Sequence, residues 1–265
     1  MTVDLLNHIL PLIDDGPADL DQSVEMVKQA ASQGVTALLA TPHAGDNRFS
    51  FSNQGIKMVS DGLKKVLAQQ NIDMKLWPAS VNRLNETLST KLRDQALLYA
   101  DDGKHYLLVE MSDKAVAVDA DQVMGELFNA GITPVLCHPE RNPHLMEKRE
   151  LLTKWANYGC KIMLSASAYT GYYGDEARAA CRQLIDSGMA YFFGSDAHDA
   201  SDGPRGNHLG EAYQQLLREY GKEKAAEFDQ NARDLVNGDR IREHKVKSRK
   251  KPKTFGMALR NMLKL

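Results

Sequence analysis

Seven short apolar runs in this 265-residue chain each end in a polar side chain, and most of those ends are metal-ligand types. In order they are His8, His43, Ser80, Glu110, His138, Ser165 and the step Asp196-Ala197-His198. A barrel strand that stops at His, Asp or Glu delivers that group to the carboxyl-end rim, where such folds build their sites. A lone His beside an apolar run is more often a satisfied structural residue. Five metal-competent endings in order point instead to one shared metal site. In an extended segment Asp196 and His198 face the same side, so both can enter one pocket. Neutral imidazoles together with ionised carboxylates suit manganese, iron or zinc better than magnesium alone.

Further groups sit beside these ends. Asp14-Asp15-Gly16-Pro17 follows His8, and Asp14 reads equally well as a helix cap. His43 closes Ala40-Thr41-Pro42-His43 ahead of a polar loop. Cys137-His138-Pro139-Glu140-Arg141 places a His, an acid and an Arg within four residues. Arg141 suits bidentate recognition of phosphate; the bland alternative is a carboxylate pair on the rim. A cysteine-based phosphatase would need an Arg six positions after its Cys. Cys137 is followed there by Pro143, and neither Cys160 nor Cys181 fits. A phosphate-binding Gly-x4-Gly-Lys-Ser/Thr loop is absent. His105, His144, His208 and His244 lie in loops or polar stretches and are expected to be solvated.

The elements that must position these groups alternate strand-like and helix-like segments. Strands are expected over 3–10, 37–41, 74–78, 106–111, 134–137, 161–164 and 190–194. Helical spacing covers 20–32, 120–130, 148–157 and 175–186, the last three closing on Gly131, Gly159 and Gly188, the usual C-terminal stop. Helices over 209–220 and 222–231 would pack outside. Such alternation indicates βαβ units and a parallel sheet. Ligand types at nearly every strand end favour a distorted (β/α)7 barrel, since an open sheet gathers its site from two or three strands. The open sheet is the alternative.

At 43% apolar and 26% charged residues the composition is that of one globular domain. There is no apolar run of membrane-spanning length and no basic n-region of a signal peptide. Three cysteines without paired spacing fit a reducing, cytoplasmic setting. From Arg240 to the end the charge is about +9, leaving about −11 on the rest. The expected organisation is a domain over 1–238 and a basic tail over 239–265. In the tail, the cationic run from Lys245 to Lys253 precedes Phe255, Leu259, Met262 and Leu263 at helical spacing. Such a segment can lie peripherally on an anionic membrane surface; a solvated tail is the alternative.

The segments His8-Ile9-Leu10-Pro11-x-x-Asp14-Asp15-Gly16, Ala40-Thr41-Pro42-His43, His138-Pro139-Glu140-Arg141 and Ser195-Asp196-Ala197-His198 together resemble the polymerase-and-histidinol-phosphatase superfamily. Over roughly 1–238 the chain is similar to its branch of manganese-dependent bacterial protein-tyrosine phosphatases from capsule and exopolysaccharide clusters. The resemblance implies a distorted (β/α)7 barrel carrying two or three manganese ions, with iron or zinc as alternatives. It further implies dephosphorylation of a bacterial tyrosine kinase, with no nucleic-acid partner. By position, Asp15, His43 and His198 resemble the ligands of one metal, Glu110 and His138 of a second, and His8 and Asp196 of a third. Arg141 matches the phosphoryl-binding Arg, and Arg205 is a weaker candidate for that task. Water activated by the metals would attack phosphorus while Arg141 stabilises the equatorial oxygens.

Two departures bear on activity. The family opens Asp-x-His-x-His, where this chain has Leu6, and places a bridging Glu where this chain has Ser80. A smaller departure is Ser165, where Asn is frequent. Leu6 and Ser80 would leave one metal with His8 and Asp196 only, below the usual three or four ligands. Asn7, Asn82 and Glu86 are the substitutes the sequence offers. The competing functions are therefore a working phosphotyrosine phosphatase, a catalytically impaired phosphotyrosine-binding regulator, and a phosphatase of a small phosphoester such as histidinol phosphate.

Overall fold

The computed structural model describes residues 2–44, 49 and 51–246. The seven apolar runs form parallel strands, two of them interrupted: β1 (Val3–Asn7), β2 (Ala37–Ala40), β3 (His43–Ala44), β4 (Lys75–Pro78), β5 (Val81–Arg83), β6 (Tyr106–Glu110), β7 (Thr133–Cys137), β8 (Lys161–Ser165) and β9 (Ala190–Gly194). They pair as β1-β2-β4 and β3-β5-β6-β7-β8-β9, all parallel. Among the described residues the pairing falls into two sheets, so the strand ladder does not close into the continuous barrel expected from the sequence. The physical cause is local. Pro42 lies between β2 and β3 and has no N–H to give to a ladder. Isolated bonds still cross the break, Ala79 N–H to Ala40 O at 2.8 Å and Val81 N–H to Pro42 O at 3.1 Å. At the other edge β1 meets the segment beyond β9 through a bridge between Asn7 and Ala197. Two bonds of 2.8 Å flank it, His8 N–H to Ala197 O and Asp196 N–H to Leu6 O.

The strands are buried on both faces, which is why they read as continuous apolar runs. On β6, Tyr106 and Leu108 face an inner cluster with Leu6, Val81, Val135 and Met163, while Leu107 and Val109 face the helices. Gly194 is required here, since an added Cβ would lie 2.7 Å from both Leu6 Cβ and Met163 Sδ.

Those helices are α1 (Leu20–Ser32), α2 (Asn53–Gln69), α3 (Glu86–Arg93), α4 (Ala120–Asn129), α5 (Pro143–Glu147), α6 (Arg149–Asn157), α7 (Ala166–Thr170), α8 (Gly174–Asp186) and α9 (Leu209–Asn237). Asp19 caps α1, its side chain accepting from Gln22 N–H at 2.8 Å. The two expected outer helices run together as α9, with one non-helical residue, Gly221, at the junction. The first strand ends at Asn7 rather than continuing to residue 10, because His8 is drawn into the site described below.

The chain beyond α9 returns to the body. Tyr106 Oη donates to Asp239 O at 2.7 Å, Ile241 is buried, and Lys161 Nζ lies 2.7 Å from Glu243. The His244 ring stacks on Tyr191 at 4.3 Å, so it is not the solvated residue expected. His208 is likewise buried, stacked on Tyr172 at 3.8 Å. The cationic and amphipathic stretch from Lys247 onward lies outside the described residues. No helix among the described residues is long and apolar enough to cross a membrane.

Candidate metal and phosphate site

The ends of β6, β7 and β9, the start of β3 and the loop after β1 meet at a cavity of about 270 Å3 whose walls include Asp15, His43, Glu110, His138, Asp196 and His198. Ligand-capable atoms of His8, Asp15, His43 and His198 all lie within 4.8 Å of one another. His8 and His198 stack with centroids 3.8 Å apart, and His43 stands 4.4 Å from His8. Rings this close, among carboxylates, form a donor set that could hold a metal ion.

Each imidazole is oriented by a partner on at least one nitrogen. Asp14 Oδ2 accepts from His8 Nδ1 at 2.6 Å and from the His43 backbone N–H at 2.9 Å. His8 Nε2 is left buried without a hydrogen-bond partner among the described residues, 3.4 Å from Asp196 Oδ1. His198 Nδ1 lies 2.8 Å from Asp196 O, which frees its Nε2 to face Asp15 at 3.5 Å. His43 places Nδ1 2.9 Å from Glu110 Oε1 and Nε2 3.4 Å from Asp15. His138 Nε2 lies 3.3 Å from Glu110 Oε2. An orphaned buried nitrogen plus carboxylates fixed against imidazoles fits a transition-metal centre, the second partner setting the tautomer.

Charge follows this geometry. Burial works against protonation of His43, but its bonds to Asp15 and Glu110 prevail and raise it to about 10. Burial lowers His198 to about 4, helped by the neighbouring His8. Burial would raise Glu110, yet His138 and His43 hold it well below the carboxylate range. Asp196 is likewise held down against burial, chiefly by Arg141.

Arg141 Nη1 donates to Asp196 Oδ2, Nη2 donates to Asp113 Oδ2 at 3.0 Å, and the guanidinium covers the Tyr173 ring at 4.8 Å. Arg205 also reaches the site, Nη2 donating to Asp15 O at 2.6 Å, with its side chain 42% exposed. Two ligand candidates have left-handed backbones, His138 at φ 38° and Asp196 at φ 55°. Each turns its side chain off the strand direction into the cavity, at a cost of about 1 kcal/mol or more.

All nine residues singled out from the sequence thus meet here, although His8 joins the Asp15–His43–His198 group as closely as it joins Asp196. Asp4, Arg83, Asp113 and Tyr173 were not singled out from the sequence, and Asp14 was left open. Asp14 has an equally good reading as a helix cap. Arg83, 3.2 Å from Glu110, and Asp113 lie at or just past strand ends, a signal that was available. Nothing in the sequence marks Tyr173. Asp4 is fully buried, accepting from Ser195 N–H at 2.9 Å, Ser195 Oγ at 2.7 Å and Asn207 Nδ2 at 3.0 Å. It anchors the start of β1 to the strand end that carries Asp196.

The two departures are packed as ordinary interior residues. Leu6 lies in the inner apolar cluster. Ser80 Oγ donates to Leu98 O and accepts from Asn82 Nδ2, both at 3.2 Å. Asn82 is committed there and to Leu108 O, Glu86 opens α3, and Asn7 donates to Leu39 O. Asn7 Oδ1 is buried without a partner among the described residues.

YwqE of Bacillus subtilis, named a tyrosine-protein phosphatase, is 30% identical over 254 residues, which is 96% of this chain and 99% of YwqE. The tyrosine-protein phosphatase CpsB of Streptococcus agalactiae is 25% identical over 90% of this chain and 100% of its own length. A solved chain from the pair YwqE of B. subtilis and CpsB of Streptococcus pneumoniae, described as metal-dependent tyrosine phosphatases, superposes with a TM-score of 0.87 at 28% identity. That match covers 94% of this chain and 100% of the other. With residues 2–237 matching the family model for capsular polysaccharide synthesis, CpsB/CapC, the chain belongs to that family.

Proposed function

We propose that this protein is a metal-dependent protein-tyrosine phosphatase of capsular or exopolysaccharide synthesis, acting on a phosphotyrosine-bearing bacterial tyrosine kinase. The observation that carries the reading is one cavity lined by Asp15, His43, His198 and the Arg141 guanidinium, with the buried His8 within 4.8 Å of the first three. Manganese is the proposed ion, two or three per chain, with iron or zinc as alternatives. Asp15, His43 and His198 would hold one ion, Glu110 and His138 a second, and His8 with Asp196 a third. Such ions supply positive charge to phosphoryl oxygens and lower the pKa of water.

The protein's own groups account for the rest. Arg141 would bring its guanidinium charge to a phosphoryl oxygen at the cavity wall, and Asp113 and Asp196 hold its plane in place. Arg205, half-exposed at the rim, would steer the incoming anion. Asp14, Glu110 and the Asp196 carbonyl fix the three imidazoles so that little reorganisation accompanies binding. The Tyr173 ring on the cavity wall would lie against the aryl group of the substrate.

We also read the two sheets as arcs of a distorted seven-strand barrel, supported by the bonds across Pro42 and the Asn7–Ala197 bridge. Residues 1–238 would form the catalytic domain and 239–265 a basic tail with peripheral membrane contact. The free, buried Cys137, Cys160 and Cys181 suit a cytoplasmic setting.

The test is metal analysis of protein purified without chelator, with turnover of phosphotyrosine peptide, phosphoserine peptide and histidinol phosphate. Manganese-supported hydrolysis of the phosphotyrosine peptide alone is expected. Tight binding of that peptide without turnover under manganese, iron or zinc would favour the second reading, a phosphotyrosine-binding regulator, which Leu6 and Ser80 support.

A further inference from the structure

We propose that the cleft beside the catalytic cavity is a subsite for a cationic segment flanking the phosphotyrosine, and so selects which tyrosines are dephosphorylated. The inference rests on the phosphatase reading and names its peptide preference. The cleft encloses about 610 Å3 and is walled by residues of α5 and α8. Asp113, Arg141 and Tyr173 line both this cleft and the catalytic cavity, so the two adjoin across these three side chains. A tyrosyl phosphate seated on Arg141 has its neighbours at the cleft mouth, since an extended chain advances about 3.3–3.6 Å per residue. Residues one to three positions from the phosphotyrosine would enter.

The chemistry of the walls selects among them. Glu147 and Glu176 are exposed on facing helices, and neither forms an ion pair among the described residues. Glu140 lies at the base, its Oε1 accepting from Ser165 N–H at 2.8 Å and its buried Oε2 without a partner among the described residues. Among the described residues the cleft's single cationic side chain is Arg141, already engaged by Asp113 and Asp196. Met146 and Ala180 add apolar surface. This surface matches a Lys or Arg whose aliphatic stem lies on Met146 while its head meets the glutamates. An acidic flank is repelled.

The experiment compares two phosphotyrosine peptides, one with Lys and one with Glu at the three positions on either side. Binding is measured with difluorophosphonomethyl-phenylalanine versions, which are not hydrolysed, and turnover with the phosphotyrosine versions on the manganese-loaded protein. The wild type should bind the Lys peptide about tenfold tighter, given a few-fold per exposed pair. The double variant E147K/E176K should reverse or abolish that preference while leaving p-nitrophenyl phosphate turnover unchanged. Equal affinities in the wild type, or a preference that survives the double variant, overturns the subsite. Failure of the phosphatase reading looks different: a flank-dependent affinity with no turnover of any substrate.

Discussion

Replacing Arg141 separates its two jobs, counter-ion and phosphoryl ligand. In Arg141→Met the Asp196 carboxylate, 6% exposed, loses its strongest attractive partner and keeps His8 at 3.4 Å with the more distant His138 and His198. Removing one member of a buried pair costs about 3–5 kcal/mol. Asp113 is 43% exposed, so freeing it adds at most about 1 kcal/mol. The ion-free variant should therefore be less stable by roughly 4 kcal/mol, near 10 °C in Tm for a chain of this size. Manganese should restore most of that stability by giving Asp196 a new cation. It should not restore the rate, because the donors aimed at phosphoryl oxygens are gone, and losing such donors costs about 10²–10³ in kcat. Arg141→Lys should keep more of the stability than of the rate, since an ammonium carries the charge without the fork. The assays are calorimetry with and without manganese and steady-state hydrolysis of a phosphotyrosine peptide. A rate within threefold of wild type, or full recovery of rate at saturating manganese, would refute the ligand role.

Three other outcomes follow from geometry. Burial raises Asp4 from 3.8 to about 6, so the folded state keeps a proton the unfolded state has lost, and the stability this group contributes falls as pH rises through that window. Asp4→Asn should therefore gain on the wild type by about 2–3 kcal/mol between pH 4 and pH 8, read by urea unfolding of ion-free protein; a constant difference across pH rejects the account. In L6H/S80E the new groups must displace Leu6 from Gly194 and Ser80 from Leu98, so ion-free stability should drop by several kcal/mol while manganese content rises by about one ion per chain. Unchanged metal content by elemental analysis would show that those positions do not feed the cluster. Residues 247–265 carry seven basic and no acidic side chains, so ending the chain after Val246 should abolish pelleting with anionic vesicles, and equal pelleting removes the membrane proposal.

The elements most legible in the sequence were those in which one residue type had one job. Val3, Leu5, Leu107 and Val109 read as strand because both faces are buried, and Gly131, Gly159 and Gly188 read as helix stops because each takes a left-handed φ. The convergence of His8, His43, His138 and His198 was readable because each follows an apolar run. What escaped depends on contacts between distant segments. Asp14 looks like a cap until His8 and the His43 backbone are seen on its other side. Asp4 looks like a polar interruption of a strand until Ser195 and Asn207 close on it. The break at Pro42 was visible as a residue, but its effect on sheet pairing depends on which strand lies alongside. His208 and His244 were misplaced because polar sequence neighbours say nothing about an aromatic ring arriving from elsewhere.

The left-handed turns at His138 and Asp196 narrow what drift can do at these two places. A substitute must supply a donor atom and also tolerate a backbone state most side chains resist. Relatives that have shed catalysis should therefore show Asn or Gly there more often than Ala, because small or self-bonding residues relax the turn once the donor is dispensable. Strand-end donors on ordinary backbone, such as Glu110, carry no such restriction and should scatter across many residue types in the same relatives.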